Sequence, residues 1–133
     1  MSKLGFDIRL TGVAVPQAVE QVTKALAQEG FGVLTTIDVS QTFKKKLDIE
    51  FSPYVILGAC NPGLAKRALD ADPAMGLLLP CNVVVRQVEG GVEVSIADPH
   101  AMFQVVDDPR VAPLAEDAAL RLRRVKDSLA TQA

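Results

Sequence analysis

The two cysteines of the chain, Cys60 and Cys81, are the side chains best suited to covalent chemistry, and an asparagine follows each of them, Asn61 and Asn82. A cysteine becomes a nucleophile when its thiolate form is populated. Cys60 directly precedes Asn61-Pro62, a pair typical of a helix start, where free amides and the helix dipole favour the thiolate. The position therefore predicts either a reactive thiol with a lowered pKa or a small apolar side chain packed in the core.

Cys81 follows Pro80 at the start of a predicted strand, so we expect it to be an ordinary or buried thiol. The two cysteines are 21 positions apart (81 minus 60), a spacing that does not match the Cys-x-x-Cys redox motif. They could form a thiol pair if the strands that carry them are neighbours. Because the chain has one histidine, His100, a zinc site would have to recruit carboxylates, and we expect no metal site.

Four of the eight prolines follow Asn or Asp, in the dipeptides Asn61-Pro62, Asp72-Pro73, Asp98-Pro99 and Asp108-Pro109. An Asn or Asp side chain accepts a hydrogen bond from a free amide in the first helical turn, and proline suits the next position because no N–H is needed there. The pattern predicts helix starts and explains Asn61 as a cap rather than a catalytic group. His100 should lie in the first turn after Asp98, as a surface residue or as a general base or ligand group.

Sequence motifs with a known chemistry are absent. The chain has no Gly-x-Gly-x-x-Gly, no Walker loop, no Gly-x-Ser-x-Gly and no His-Glu-x-x-His, and we expect no cofactor. A net charge of −2 and a pI near 5.3 argue against general nucleic-acid binding, which depends on a basic surface. The one basic run, Lys44 to Lys46, is short, and acidic residues follow it, which indicates a solvated loop or helix end.

Hydrophobic patterning predicts the elements that must position these residues. Alternating or continuous apolar residues predict strands at 6–10, 31–39, 54–60, 81–88 and 92–97. Helical spacing predicts helices at 16–29, 62–71 and from about Pro113 to the C-terminal region. Residues 40–47 form either a short helix or an irregular connection, and Gly90-Gly91 should form a hairpin turn.

This order of elements predicts an α+β fold with a mostly antiparallel sheet, helices packed on one face and a long C-terminal helix, in a single domain of residues 1–133. Apolar residues make up 49% of the chain, but aromatics only 5%, so the core must be aliphatic. The N-terminus lacks the apolar run of a signal peptide, and no segment approaches the ~20 apolar residues that cross a membrane. We therefore expect a cytoplasmic protein with reduced thiols and no membrane partner.

Three blocks of sequence resemble one family. They are "GFGVLTTIDV", "YVILGACNPGLAKRALDADPAMGLLLPCNVVV" and "VEVSIADPHAM", in that order, and they are similar to domain of unknown function family 302. The resemblance covers nearly the whole chain, and it implies a small bacterial or archaeal α+β domain that tends to form dimers and has no settled activity. The positions that match the family blocks are Cys60, Asn61, Pro62, Pro80, Cys81, Asn82, Asp98 and Pro99.

Three functions remain open at this point, and the sequence does not decide whether the protein is an enzyme. The first is a homodimeric module that binds a small ligand, with Asn61, Asn82, Asp98 and His100 as candidate binding residues. The second is a thiol-based redox or sulfur-handling protein with Cys60 and Cys81 as catalytic residues. The third is a structural or interaction domain. A homodimer is expected because the apolar strands should leave apolar surface uncovered after one layer of helices has packed.

Overall fold

A computed structural model describes residues 3–131 of the chain. Five strands form one antiparallel sheet, and they are β1 (Gly5–Thr11), β2 (Gly32–Asp38), β3 (Tyr54–Cys60), β4 (Cys81–Val88) and β5 (Gly91–Ala97). The α-helices are α1 (Val15–Gln28), α2 (Val39–Leu47), α3 (Pro62–Ala71), α4 (Pro99–Met102) and α5 (Ala112–Ala130). Short 3₁₀ segments lie at Pro73–Leu78 and Phe103–Val105.

The strand order across the sheet is β1-β5-β4-β3-β2. β2 and β3 are neighbours along the chain, as are β4 and β5, so these pairs form local antiparallel contacts. β1 and β2 lie at opposite edges of the sheet, and the connection through α1 therefore crosses the sheet from one edge to the other. This crossing lets α1 contact β2, β3 and β4 on one face.

One face of the sheet, the covered face, packs against α1 and α5 and forms an aliphatic core. The buried strand residues on this face include Leu57, Val83, Val85, Val92, Val94 and Ile96. The helices add residues at helical spacing, and these include Ala18, Val22, Leu26, Leu122, Val125 and Leu129. The predicted antiparallel α+β fold with helices on one face and a long C-terminal helix is confirmed.

The opposite face of the sheet, the open face, carries the alternate residues of each strand. The register places one residue of each strand in a row across the sheet: Asp7, Ser95, Val84, Ile56 and Ile37. All five are intermediate or exposed, whereas most positions of β3, β4 and β5 on the covered face are buried. The open face is therefore accessible to a ligand or a partner.

The next row of the open face is an ion-pair network centred on Glu93. Its carboxylate accepts hydrogen bonds from Arg86 at 2.8 Å and from Arg9 at 3.4 Å. Such partly exposed pairs contribute little to stability. Their importance here is that both arginines are already paired with a carboxylate.

β2, α2 and the residues that follow as far as Phe51, which we call the β2–α2 arm, contain no buried residue. The sequence predicts either a short helix or an irregular connection for residues 40–47, and in the structure they are helical. Asp38 caps this helix, because its Oδ1 accepts a hydrogen bond from the N–H of Gln41 at 3.0 Å. No residue of α2 is buried. β2 is an edge strand, so one side of its backbone has no partner strand.

The predicted Asx-Pro helix starts are confirmed at three of the four positions. Asn61, Asp72 and Asp98 each cap a helical segment with a side-chain oxygen. Asp108 behaves differently, because its Oδ1 accepts from Arg110 N–H within a turn, while α5 begins later at Ala112. The start of α5 at Ala112 agrees with the helix predicted from about Pro113.

Candidate functional site

The end of β3 and the start of β4 bring Cys60 and Cys81 together, as the thiol-pair hypothesis requires. Ala59 on β3 lies opposite Cys81 on β4 in the antiparallel register, so Cys60 is one residue beyond the partner of Cys81. Both cysteines and Asn61 line one small cavity between the sheet, α3 and α5. Its walls are otherwise apolar, and they include Phe31, Leu64, Phe103 and Leu114.

Neither cysteine has the lowered pKa of an activated thiol. Burial raises the pKa of Cys60, and burial together with the nearby Cys60 raises the pKa of Cys81 to about 11. Of the two alternatives for Cys60, burial therefore favours the packed thiol over the activated one. The helix start offers a thiolate little support, because Pro62 has no N–H and the N–H of Leu64 is already bonded to Asn61 Oδ1 at 3.1 Å, which leaves the N–H of Gly63 as the free amide of the first turn.

The cavity at the cysteines is small. Its volume is about 30 Å³, which leaves room for a water molecule or two but not for an organic ligand. With two neutral thiols and apolar walls, the site resembles a packing defect more than a binding pocket.

The other predicted site residues lie elsewhere. Asp98 caps α4, accepting from the N–H of His100 at 2.9 Å. The two residues line a surface cleft with Glu116 and Arg123, and His100 also borders a second cleft with Gln104. Asn82 is exposed on the open face. The six predicted residues therefore fall into three separate places rather than one site.

A second apolar cavity lies on the open face, at the β1–β5–β4 side of the sheet. Its volume is about 250 Å³. The lining residues are Leu4, Gly5, Asp7, Asn82, Val84, Ser95, Ile96, Ala97 and Met102. Among the predicted site residues, only Asn82 belongs to it. Asp7 alternates with Phe6 and Ile8 in the sequence, a pattern that predicts a position on the polar side of a strand, but no sequence signal places it in a cavity.

Asp7 is the unusual member of this cavity. Its Oδ1 is buried, and no described group donates a hydrogen bond to it. Buried polar atoms in folded proteins nearly always have a hydrogen-bond partner, so an unpaired carboxylate oxygen needs an explanation. It is the one buried side-chain polar atom in the described chain that lacks such a partner.

Residues 3–131 form neither a metal-ion cluster nor a membrane-spanning helix. No group of three or more His, Cys, Asp or Glu side chains is arranged to hold a metal ion there. None of the helices in this range has the length and apolar composition needed to cross a membrane.

Comparison with known proteins agrees with the fold. The family described as "Domain of unknown function DUF302" matches residues 6–129. The chain belongs to the DUF302 family. A solved structure titled "Crystal structure of uncharacterized conserved protein DUF302 from Bacillus stearothermophilus" is similar to this DUF302 domain, with a TM-score of 0.85 and 30% sequence identity over 96% of this chain and 98% of that chain. Among curated proteins, no sequence matches the chain.

Proposed function

We propose that this DUF302 domain is a homodimeric module that binds a small organic ligand in the open-face cavity. The observation that carries the proposal is the combination of apolar walls with one buried, unpaired carboxylate oxygen of Asp7. Ligand sites are typically concave and mostly apolar, with a few polar groups that orient the ligand. A volume of about 250 Å³ is roughly eight times the 30 Å³ that one water occupies in the liquid, which suits a small organic molecule.

Binding can be tested through the methionine methyl groups. Met102 lines the open-face cavity, whereas Met75 is buried in the core and serves as an internal control. In protein labelled with ¹³C at the methionine methyl groups, a panel of small neutral and charged organic molecules should include members that shift the Met102 signal without shifting that of Met75. Ala97→Phe should fill the cavity and abolish those shifts. A Met102 signal that no member of the panel moves would refute the proposal.

The dimer would form through the β2–α2 arm. Large apolar side chains are exposed along the arm, with 66% of Leu34 and 61% of Leu47 accessible, and Ile37, Ile49 and Phe51 add to the same surface. An edge strand next to exposed apolar residues favours pairing with a second copy of the chain. The arm lies at the opposite edge of the sheet from β1, so a dimer formed there would leave the ligand cavity accessible.

Light scattering during size-exclusion chromatography tests the dimer. The wild-type protein should have about twice the 14.2 kDa mass of one chain. Leu34→Asp should yield monomers, because a charge at the edge strand opposes pairing. Leu120→Asp, which changes an exposed leucine of α5, should leave the dimer intact. A wild-type mass of one chain at micromolar concentration would contradict the dimer.

A thiol-based role is the second candidate. It is favoured by one observation, the shared cavity of Cys60 and Cys81 at neighbouring ends of β3 and β4. The raised pKa of each thiol counts against a nucleophile at neutral pH. We therefore place this candidate after ligand binding, and the rate at which iodoacetamide alkylates native Cys60 tests it.

A further inference from the structure

We propose that the ligand of the open-face cavity is a small primary amine with an apolar body, and that its ammonium group binds the carboxylate of Asp7. The proposal rests on the ligand-binding function proposed above and names the chemical class of the ligand. Asp7 lies on β1 directly opposite Ser95 on β5, and Ser95 lies opposite Val84 on β4. These three residues form the floor of the cavity, in the row that crosses the open face.

The carboxylate requires a donor rather than an acceptor. An ionised carboxylate can only accept hydrogen bonds, and Asp7 Oδ1 receives none from the described residues. A hydrogen bond between an ammonium group and a carboxylate is about twice as strong as one between neutral groups. A cationic donor is therefore the ligand group that would compensate most fully for burial of this oxygen, and it would reach Oδ1 when the Asp7 side chain turns towards the cavity, because Oδ1 has almost no accessible surface in the free protein.

The two arginines in the neighbouring row of the open face are already engaged. Arg9 is two residues from Asp7 on the same strand face, but its Nε lies 3.4 Å from Glu93 rather than against Asp7. Arg86 also donates to Glu93, at 2.8 Å. Asp7 is the one ionisable side chain among the described residues that line the cavity. The cavity thus offers one negative group and no free cation.

The same arrangement excludes several other ligand classes. An anion or an amino-acid carboxylate would meet Asp7 without a cationic partner, and a zwitterion would have only one of its charges matched. The remaining walls are largely apolar, with Leu4, Val84, Ala97 and Met102 around the polar groups of Asn82 and Ser95. A polyamine would place its second charge against these walls. A monoamine with a compact hydrocarbon body would match both the carboxylate of Asp7 and the apolar walls of the cavity.

The test compares benzylamine with benzyl alcohol, which have nearly the same shape but differ in charge at pH 7. Both are titrated into ¹³C-methionine-labelled protein, and the Met102 methyl shift gives the dissociation constant. The amine should bind about tenfold more tightly than the alcohol, as expected when a charge-assisted hydrogen bond replaces a neutral one. Asp7→Asn should weaken amine binding about tenfold and leave alcohol binding within about twofold.

Glu93→Gln is the matched control. It removes the same charge from the same face of the sheet, but from a carboxylate that already has two arginine partners, so amine binding should stay within about twofold of wild type. The free Asp7→Asn protein should also unfold no earlier than wild type, because the replaced oxygen has no partner in the fold. An earlier unfolding midpoint would show that Asp7 is needed structurally, and it would overturn the proposal.

The outcomes separate the ligand class from the binding function. If both probes shift Met102 with equal affinity and Asp7→Asn changes neither, the cavity binds ligands but not amines as a class. If the amine does not shift Met102 while other members of the panel do, the amine proposal again fails and the binding function stands. If no molecule shifts Met102, both proposals fail.

Discussion

Asn61 Oδ1 accepts a hydrogen bond from the backbone N–H of Leu64 at 3.1 Å, and this bond begins α3 at the point where β3 ends. The same bond removes an amide that could otherwise have stabilised a thiolate at Cys60. The Cys-Asn-Pro sequence therefore starts a helix, and burial raises the pKa of its cysteine.

Asn61→Ala should lower the free energy of unfolding by about 1 kcal/mol, because the Leu64 N–H loses its partner. Asn61→Asp is the matched control, since aspartate caps a helix about as well as asparagine and should cost much less. Urea denaturation measures both variants. Equal midpoints for wild type and Asn61→Ala would show that the bond contributes nothing to stability.

Gly58→Ala should be destabilising by about 1–3 kcal/mol, because an added methyl group overpacks a filled space. A Cβ at Gly58 would meet Thr35 Oγ1 and lie 2.9 Å from Pro80 Cγ. Gly32→Ala is the control on the neighbouring strand, where a Cβ meets nothing within 4 Å. It should be neutral or slightly stabilising. Similar denaturation midpoints for the two variants would contradict the close approach at Gly58.

The two thiols should both be slow to alkylate in the native protein at pH 7, since burial raises the pKa of each. Cys81 should be the slower, because its pKa is raised to about 11. Brief labelling with iodoacetamide followed by peptide mass spectrometry measures the two rates. Native Cys60 reacting as fast as an unfolded control would instead support the thiol-based function.

Titration of the Cys81 thiol makes the free energy of unfolding depend on pH. The native state favours protonated Cys81, so its contribution is complete below the ordinary cysteine pKa of about 8.5 and is lost as the pH rises towards 11. The loss should reach about 3 kcal/mol. Because other groups also titrate there, the measurement is the difference between wild type and Cys81→Ala in urea denaturation from pH 8 to 11. A difference that stays constant with pH would contradict the raised pKa.

Leu122→Ala should lower the free energy of unfolding by about 3 kcal/mol. Leu122 is fully buried where α5 packs on the sheet, and truncating its side chain leaves a cavity. Leu120→Ala changes the same residue type two positions earlier, where 53% of the side chain is exposed, and it should cost less than about 1 kcal/mol. Thermal or urea denaturation compares them. Equal losses would mean that α5 is rotated relative to the arrangement described.

The strands, helices and turns could be predicted from the sequence because they depend on interactions between residues close together in the chain. β3 and α3 have the predicted bounds because a continuous apolar run, an Asx cap and a proline act on residues close together in the chain. The turn at Gly90 and the stripe of buried residues on α5 follow from backbone freedom and helical periodicity in the same way. The fold class and the role of Asn61 as a cap were therefore determined by the sequence alone.

Contacts between distant residues could not be read in this way. The pKa of Cys60 depends on what surrounds it after folding, and burial there outweighs the helix start that its sequence position suggested. Asp7 looked like an ordinary polar residue of an alternating strand. Only the pairing of β1 with β5, which lie more than eighty residues apart in the chain, put it opposite Ser95 beside an apolar cavity. Burial and cavity shape depend on residues that come together from distant parts of the chain, so only the tertiary structure determined them.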